Sequence, residues 1–423
     1  MVTTRKKIAA DGTRTVRDLA YVEVASSDLA RDINRDLVLE HIRAVQPISR
    51  VELARLCGLQ PSTVSIIVEQ LLEEGWISEG AVVKTARGRR PTMLSLNTEL
   101  VVLVADVRPS HAVVAVVDLN GRFLSRIMVP LPSDPRQSIA AIGRAMEGLK
   151  AQHAGKRFEG AGLSVPGRVD PATNRLVLVP NLPWKDLDVC GPLSERLGIP
   201  VELENDANAC LLAALWFGQV DRIRNAVLIA ISEGVGAAIL AEGRLITGRE
   251  GLAGEFGHIC VDPEGPACGC GKSGCWEMFA STRAALRYYS ELNLSSSNIS
   301  VHELIAFAMD GNKLAMQALE KQSIAIGRGL RMVNAALSPD VIFFAGDVTM
   351  HWELSRGTIE RECLDSVLTS SVPRLVSIGD GELALLRGAA AVVLQRHSGY
   401  YRTSHPADVR LKGQPAGQAM SAL

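Results

Sequence analysis

At 423 residues the chain is long enough for two or three domains with large cores, and 47% hydrophobic with 22% charged residues is the make-up of a soluble globular protein. A formal net charge of −1 excludes a global basic field, so any surface for nucleic acid must be local. No apolar run is long enough to span a bilayer, and the start MVTTRKKIAADGTRTVRD is basic and polar without an apolar signal core, which points to a cytoplasmic protein with no membrane attachment.

Residues 1–30 carry no sustained periodicity and read as a flexible arm. From Asn34 a helical pattern places Leu37, Val38, Ile42 and Val45 on one face. Ser49 with Glu52 three residues on is a capping box that opens a short helix ending at Gly58. The turn GLQP leads into a second helix from about Ser62, with Val64, Ile67, Val68, Leu71 and Leu72 at helical spacing. After Gly75, the stretch WISEGAVVKTARGRRPTMLSLN reads as a two-stranded ribbon with a charged tip.

Two short helices, a Gly-containing turn and a ribbon make a winged helix-turn-helix over residues 31–96. Such a unit sets its second helix in the DNA major groove, where Gln60, Ser62, Thr63 and Ser65 would reach base edges or phosphates. Any small amphipathic helix pair has this outline, and the wing adds the weight. Lys84, Arg87, Arg89 and Arg90 sit without an acid where a wing meets DNA, and arginines on a thin strand suit a narrow minor groove.

Beyond Asn97 the texture turns to α/β. LVVLVADV, HAVVAVVDL and RFLSRIMVPL predict a three-strand meander, followed by a helix near 137–152 and strands at 158–164 and 200–203. A helix at 206–217, a second strand pair (NAVLIAIS and VGAAILAEGRLI) and a buried strand, PDVIFFAG, come next. The two strand-pair openings hint at a duplicated lobe. The tail from 399 to 423 is polar, with Gly and Pro, and reads as disordered.

Cysteine placement carries chemistry. Cys57, Cys190, Cys210 and Cys363 are scattered, whereas Cys260, Cys268, Cys270 and Cys275 crowd into GHICVDPEGPACGCGKSGCWE. His258, Cys268, Cys270 and Cys275 make a closed tetrahedral set for a structural Zn²⁺, which leaves no open position for water activation. Cys260 is a rival ligand; alternation along an extended segment would turn it away from His258. Around this cluster lie Glu255 and Glu277, and upstream Asn181, Asn205 and Asp206. Carboxylates and amides converging on one cleft are a usual means of holding sugar hydroxyls, although each alone could be a cap or a surface residue.

CGCGKSGCWE with GEFGH, together with PNLPW and ENDAN, resembles the ROK family of repressors, open reading frames and sugar kinases, over residues 34 to 398. The added winged helix resembles the branch of xylose and glucose/N-acetylglucosamine regulators. The resemblance implies an actin-like, ribonuclease-H-like two-lobed sugar-kinase fold over 97–398 with a sugar cleft between the lobes. It also implies that Asn181, Asn205, Asp206, Glu255, His258 and Glu277 contact the sugar, His258 serving zinc as well. In the family's kinases the residue matching Asp206 is the base that takes the proton of the attacking hydroxyl.

At three nucleotide contacts the chain departs from those kinases. Their Asp-x-Gly-Gly-Thr turn reads DVRPS here, so Asp106 stays while Arg108 and Pro109 replace glycines. Their Gly-Thr-Gly-x-Gly loop reads SEGVG, which sets Glu233 against phosphate oxygens at a repulsion of several kcal/mol at about 4 Å and intermediate dielectric. A third glycine run reads FAGDV, with Asp347. The expectation is a sugar-responsive transcriptional regulator, a repressor in its default sense, that binds operator DNA as a homodimer or homotetramer and has a vestigial base in Asp206. An active ATP-dependent sugar kinase with an added DNA-binding domain is the alternative, and a constitutive DNA-binding protein with a vestigial cleft is a further one.

Overall fold

The structure, a computed structural model, describes residues 27–82, 91–179, 183–218, 223–293, 299–364, 373–379 and 381–395. The first unit is helical with a small sheet: α1 (Ser27–Val45), β1 (Ile48–Ser49), α2 (Arg50–Cys57), α3 (Pro61–Glu73), β2 (Ile77–Val82) and β3 (Thr92–Leu96). α1 opens at Ser27, inside the stretch that reads as an arm and ahead of the Asn34 start that its apolar spacing suggests. Ser49 and Glu52 do form the capping box, and Gly58 closes α2 in the left-handed region at φ 67°. Val64, Ile67, Val68 and Leu71 of α3 are buried. β3 sits between β1 and β2, completing the winged-helix layout.

The first lobe contains β4 (Leu100–Val107), β5 (His111–Asp118), β6 (Phe123–Pro130), α4 (Pro135–Gln152) and β7 (Arg157–Val165). A three-stranded flap follows, β8 (Arg168–Asp170), β9 (Arg175–Leu178) and β10 (Lys185–Leu187), then α5 (Cys190–Leu197), β11 (Val201–Asn205) and α6 (Asp206–Phe217). The second lobe contains β12 (Ala226–Ile231), β13 (Val235–Ala241), β14 (Arg244–Leu245), α7 (Glu277–Ala280), α8 (Thr282–Leu292), α9 (Val301–Met309) and α10 (Lys313–Leu337). β15 (Val341–Gly346), α11 (Trp352–Leu364), β16 (Arg374–Ser377) and α12 (Gly381–Leu394) complete it.

The two five-stranded sheets have the same construction. Their orders are β11-β7-β4-β5-β6 and β14-β13-β12-β15-β16. In each, an antiparallel three-strand meander is extended by two parallel strands on the side of its first strand. The duplication hinted at by the strand pairs is therefore real at the level of topology, and it is the ribonuclease-H-like arrangement. The short strands β1, β8 to β10 and β16 are the ones the sequence pattern does not reveal, and β14 falls within VGAAILAEGRLI, which reads as one strand.

Every residue of β4 is buried, because helices cover both faces of the sheet. Leu100, Val102 and Val104 face the core shared with α6 and α12, and Val101, Leu103 and Ala105 face the one shared with α4 and α5. Each such Val or Leu side chain stabilises the fold by roughly 1.5–3 kcal/mol. α6 is apolar on all sides, as a helix enclosed by the fold must be. It packs along α12 and touches strands of both sheets. One continuous core runs from α1–α3 through β4, β5, α6 and α12 into the second lobe, so the winged helix is docked on the body. No helix among the described residues is long and apolar enough to cross a membrane.

Candidate functional site

The site begins where β11 ends and α6 starts. Asn205 caps α6: its Oδ1 accepts from the backbone N–H groups of Ala207 (2.9 Å) and Asn208 (3.3 Å), and its Nδ2 donates to the Gly167 carbonyl (2.7 Å). The same residue thus satisfies the helix end and ties the flap-bearing loop to it. Glu204, just before it, is buried and accepts from Asn208 Nδ2 and Asn205 N–H, both at 2.9 Å. Burial pushes the Glu204 carboxyl above its ordinary range, and the two hydrogen bonds pull against that. Asp206, in the first turn of α6, is likewise raised by burial, opposed by the charge of Arg108 and by backbone hydrogen bonds.

Glu204 and Asn205 line one side of a small cleft that is partly open to solvent. Glu204, Asn205 and Asn208 face Gly236 of β13 and the turn carrying Gly254 and Glu255, with Arg168 at the flap. Of the residues expected at a sugar, Asn205 and Glu255 line this cleft, with Asp206 beside Asn205. Asn181 lies outside the described residues, as do Lys84, Arg87, Arg89 and Arg90. Glu204 and Asn208 line the cleft without being expected there, although their i, i+4 spacing across ENDAN is readable.

Glu255 leads to the cysteines. It opens a 3₁₀ turn, Glu255–His258, that brings His258 Nε2 to 3.7 Å from Glu255 Oε2. The other ring nitrogen, Nδ1, is 3.5 Å from Cys268 Sγ and 3.7 Å from Glu277 Oε1. Cys270 Sγ and Cys275 Sγ are 3.5 Å apart, and the four donor atoms of His258, Cys268, Cys270 and Cys275 all lie within 4.8 Å of one another. Bonds of about 2.3 Å to sulfur and 2.0 Å to nitrogen place tetrahedral donors roughly 3.5–3.8 Å apart. The cluster therefore fits a metal ion of that size, and Glu255 behind His258 would orient the ring.

Cys260 is outside this donor set and exposed. The reason differs from the expected alternation along an extended segment. His258 ends a 3₁₀ turn, so alternation does not apply, and Cys260, although paired with Cys275 across a β-bridge, is an exposed thiol at the edge of the cluster. Glu277 is buried at the inner side of the cluster, with Cys268 Sγ 2.9 Å from its Oε1.

The SEGVG segment is the tight connection between β12 and β13, closed by Ser232 N–H donating to Gly234 O at 3.0 Å. A side chain at Gly234 would meet Glu277 Oε2, so this loop abuts the cysteine cluster. Arg283 Nε donates to the Glu233 carbonyl (2.6 Å), and Thr282 Oγ1 donates to Asp347 Oδ2 (3.0 Å). Asp347 is raised by burial and further by the Glu233 charge, so the two carboxylates share one neighbourhood. Across from them, Arg108 Nε lies 2.7 Å from the buried Asp106.

In the winged helix, Gln60 and Ser62 are exposed and Thr63 is half-buried. Ser65 donates to the Pro61 carbonyl at 2.9 Å, one turn back. Ile66 is an addition to the expected set: it stands 60% exposed on α3, one turn beyond Ser62.

A ribonuclease-H-like pair of lobes with a polar cleft, a Cys₃His cluster at its rim and a docked winged helix defines a sugar-kinase-like body joined to a helix-turn-helix module. The chain belongs to the ROK family, whose profile matches residues 106–396. It is 29% identical over 333 residues to the xylose repressor of Bacillus subtilis (strain 168), covering 77% of this chain and 85% of that protein. Its structure is similar to that of a ROK family transcriptional regulator, a homolog of the E. coli MLC protein, with TM-score 0.71 and 25% identity over 87% of this chain and 99% of that one. A ROK family glucokinase from Streptomyces griseus, solved with glucose and AMPPNP, matches with TM-score 0.61 and 28% identity over 70% of this chain and 99% of the kinase.

Proposed function

We propose that this protein is a sugar-responsive transcriptional repressor of carbohydrate-metabolism genes, acting in the cytoplasm as a homodimer or homotetramer on operator DNA. The observation that carries the reading is the docking of a winged helix onto a two-lobed body with a cleft of hydrogen-bonding side chains. Glu204, Asn205, Asn208 and Glu255 offer hydroxyl partners in the cleft. Asp206, His258 and Glu277 stand next to it, and Asn181 completes the set. In this reading Glu233 and Asp347 replace uncharged residues of the glycine runs that would face the nucleotide, and charge stabilisation is most of what phosphoryl transfer requires. Similarity to a repressor along most of its length supports the same reading.

In this reading α3 enters the major groove with Gln60, Ser62, Thr63 and Ser65, and Lys84, Arg87, Arg89 and Arg90 of the wing follow the minor groove. His258, Cys268, Cys270 and Cys275 hold a structural Zn²⁺, which when bound pins the loop carrying Glu277 against the cleft. Sugar closes the lobes, and because the winged helix shares a core with the first lobe, closure changes the placement of paired modules on DNA. Sugar and operator affinities are then reciprocally coupled.

The test is a thermal-shift screen of sugars, followed by operator binding with and without each hit. The reading requires at least one sugar that raises the melting temperature and changes operator affinity. Asp206 at the start of α6 favours one other reading, an active kinase. Robust sugar-dependent ADP release that disappears in Asp206→Asn would establish that reading in place of ours.

A further inference from the structure

Cys260 stands at the rim of the Cys₃His cluster without belonging to it. The backbone nevertheless sets it opposite a member of that cluster. Cys260 and Cys275 form an antiparallel bridge. The hydrogen bonds beside it run from Val261 N–H to Gly274 O (2.8 Å) and from Trp276 N–H to Ile259 O (2.9 Å). They flank the pair instead of joining it, so this is a non-hydrogen-bonded pair. In that register the Cα atoms stand about 4.5 Å apart and the two side chains leave the same face. Disulfides span Cα separations of roughly 4.4–6.8 Å. One thiol of the pair is exposed and the other is buried in the cluster.

We propose that Cys260 and Cys275 form a peroxide-reactive disulfide site that opens the Cys₃His centre. The Cys260 thiolate attacks the O–O bond of hydrogen peroxide, giving a sulfenic acid and, after proton uptake, water. The Cys275 thiolate then attacks the sulfenic sulfur. The S–S bond forms, the S–O bond breaks, and the departing hydroxide is protonated to a second water. Two thiols lose two electrons and the peroxide gains them. Cys275 then has no thiolate to donate, and His258, Cys268 and Cys270 are left with three positions of a four-ligand site. Exposure decides which sulfur of the pair meets peroxide first: Cys260 is open to solvent and Cys275 is buried, while Cys270, exposed as well and 3.5 Å from Cys275 Sγ, is the rival partner. The identity of the released ion rests on the zinc reading above; the disulfide does not.

Full-length protein purified under reductant is assayed for zinc, then treated with hydrogen peroxide in the presence of a colorimetric zinc chelator. Non-reducing peptide mapping by mass spectrometry runs in parallel. The expected result is zinc release together with a Cys260–Cys275 linked peptide, both reversed by dithiothreitol. Cys260→Ser should keep its zinc and its melting temperature under reductant, yet release zinc several-fold more slowly under peroxide. A Cys270–Cys275 linkage in place of the proposed one, or wild-type release from Cys260→Ser, overturns the proposal. Protein that carries no zinc when reduced defeats the metal reading, and the peptide map still decides the disulfide.

Discussion

The guanidinium of Arg43, on α1 of the winged helix, closes the C-terminal end of α6 by donating to the carbonyls of Trp216 and Leu215, and it lies 5.5 Å from the centroid of the Trp216 ring. The opposite end of α6 holds Asn205 and Asn208 in the cleft. At 1.5 Å per residue this helix spans about 18 Å, so one rigid element touches both the sugar side and the DNA module. Arg43→Ala is expected to lower stability by roughly 1–3 kcal/mol, from lost charge-assisted hydrogen bonds and the ring contact. Sugar affinity should persist while the sugar-induced change in operator affinity shrinks. Calorimetry for sugar and fluorescence anisotropy for DNA measure the two separately, and an undiminished coupling would rule α6 out as the route.

How much of this is legible in the sequence depends on whether the signal is local. The Ser49–Glu52 box and the Gly58 stop are short-range backbone chemistry and appear in the sequence as they appear in the fold. The cysteine centre is also local: its donors fall within one loop, so spacing narrows the candidates to five residues, and the fold separates Cys260 from the other four. Long apolar strands such as β4 are readable because both their faces are buried. The cleft is less legible. Asn205 reads as a helix start, and its capping of α6 is local, but its bond to Gly167 joins chain segments 38 residues apart in sequence. Glu204 and Asn208 gain their meaning only when β13 and the Glu255 turn close over them.

The raised carboxyls at the cleft carry a pH signature. Burial lifts Asp206 above its ordinary value of 3.8, so the folded state favours its neutral form. Stability from this group is fully present below that value and is lost as pH rises through the higher folded value. Asp206→Asn should therefore raise the melting temperature near pH 7, with the gain shrinking as the pH falls through the carboxylate range. The same substitution should weaken sugar binding. Melting curves across pH check the first expectation, and a constant offset at every pH would contradict the burial argument.

Ile66 supplies a DNA prediction that its neighbours do not. An apolar side chain 60% exposed on the helix of a winged unit matches the methyl group of thymine in the major groove. Ile66→Ala should cost roughly 1–3 kcal/mol in operator affinity and relax base preference at one position. Its melting temperature and sugar affinity should stay as in the wild type, because an exposed substitution shifts stability by about 0.5 kcal/mol or less. Binding selections on randomised operators read out the base preference directly.

Gly254 joins the cleft to the metal centre through backbone geometry. It precedes the 3₁₀ turn that carries Glu255 and His258, with φ at 91°, and a Cβ there would collide with the Ala237 carbonyl of β13. The left-handed conformation alone costs a non-glycine residue about 1–2 kcal/mol, and the collision forces the turn away from the strand. Gly254→Ala should lower stability by more than about 2 kcal/mol and reduce both bound zinc and sugar affinity, since His258 and Glu255 move together. A Cβ at Gly269, between Cys268 and Cys270, would meet nothing within 4 Å, so Gly269→Ala should keep both. Denaturant midpoints with metal analysis on the two variants separate a positional requirement at Gly254 from a general intolerance of side chains around the cluster.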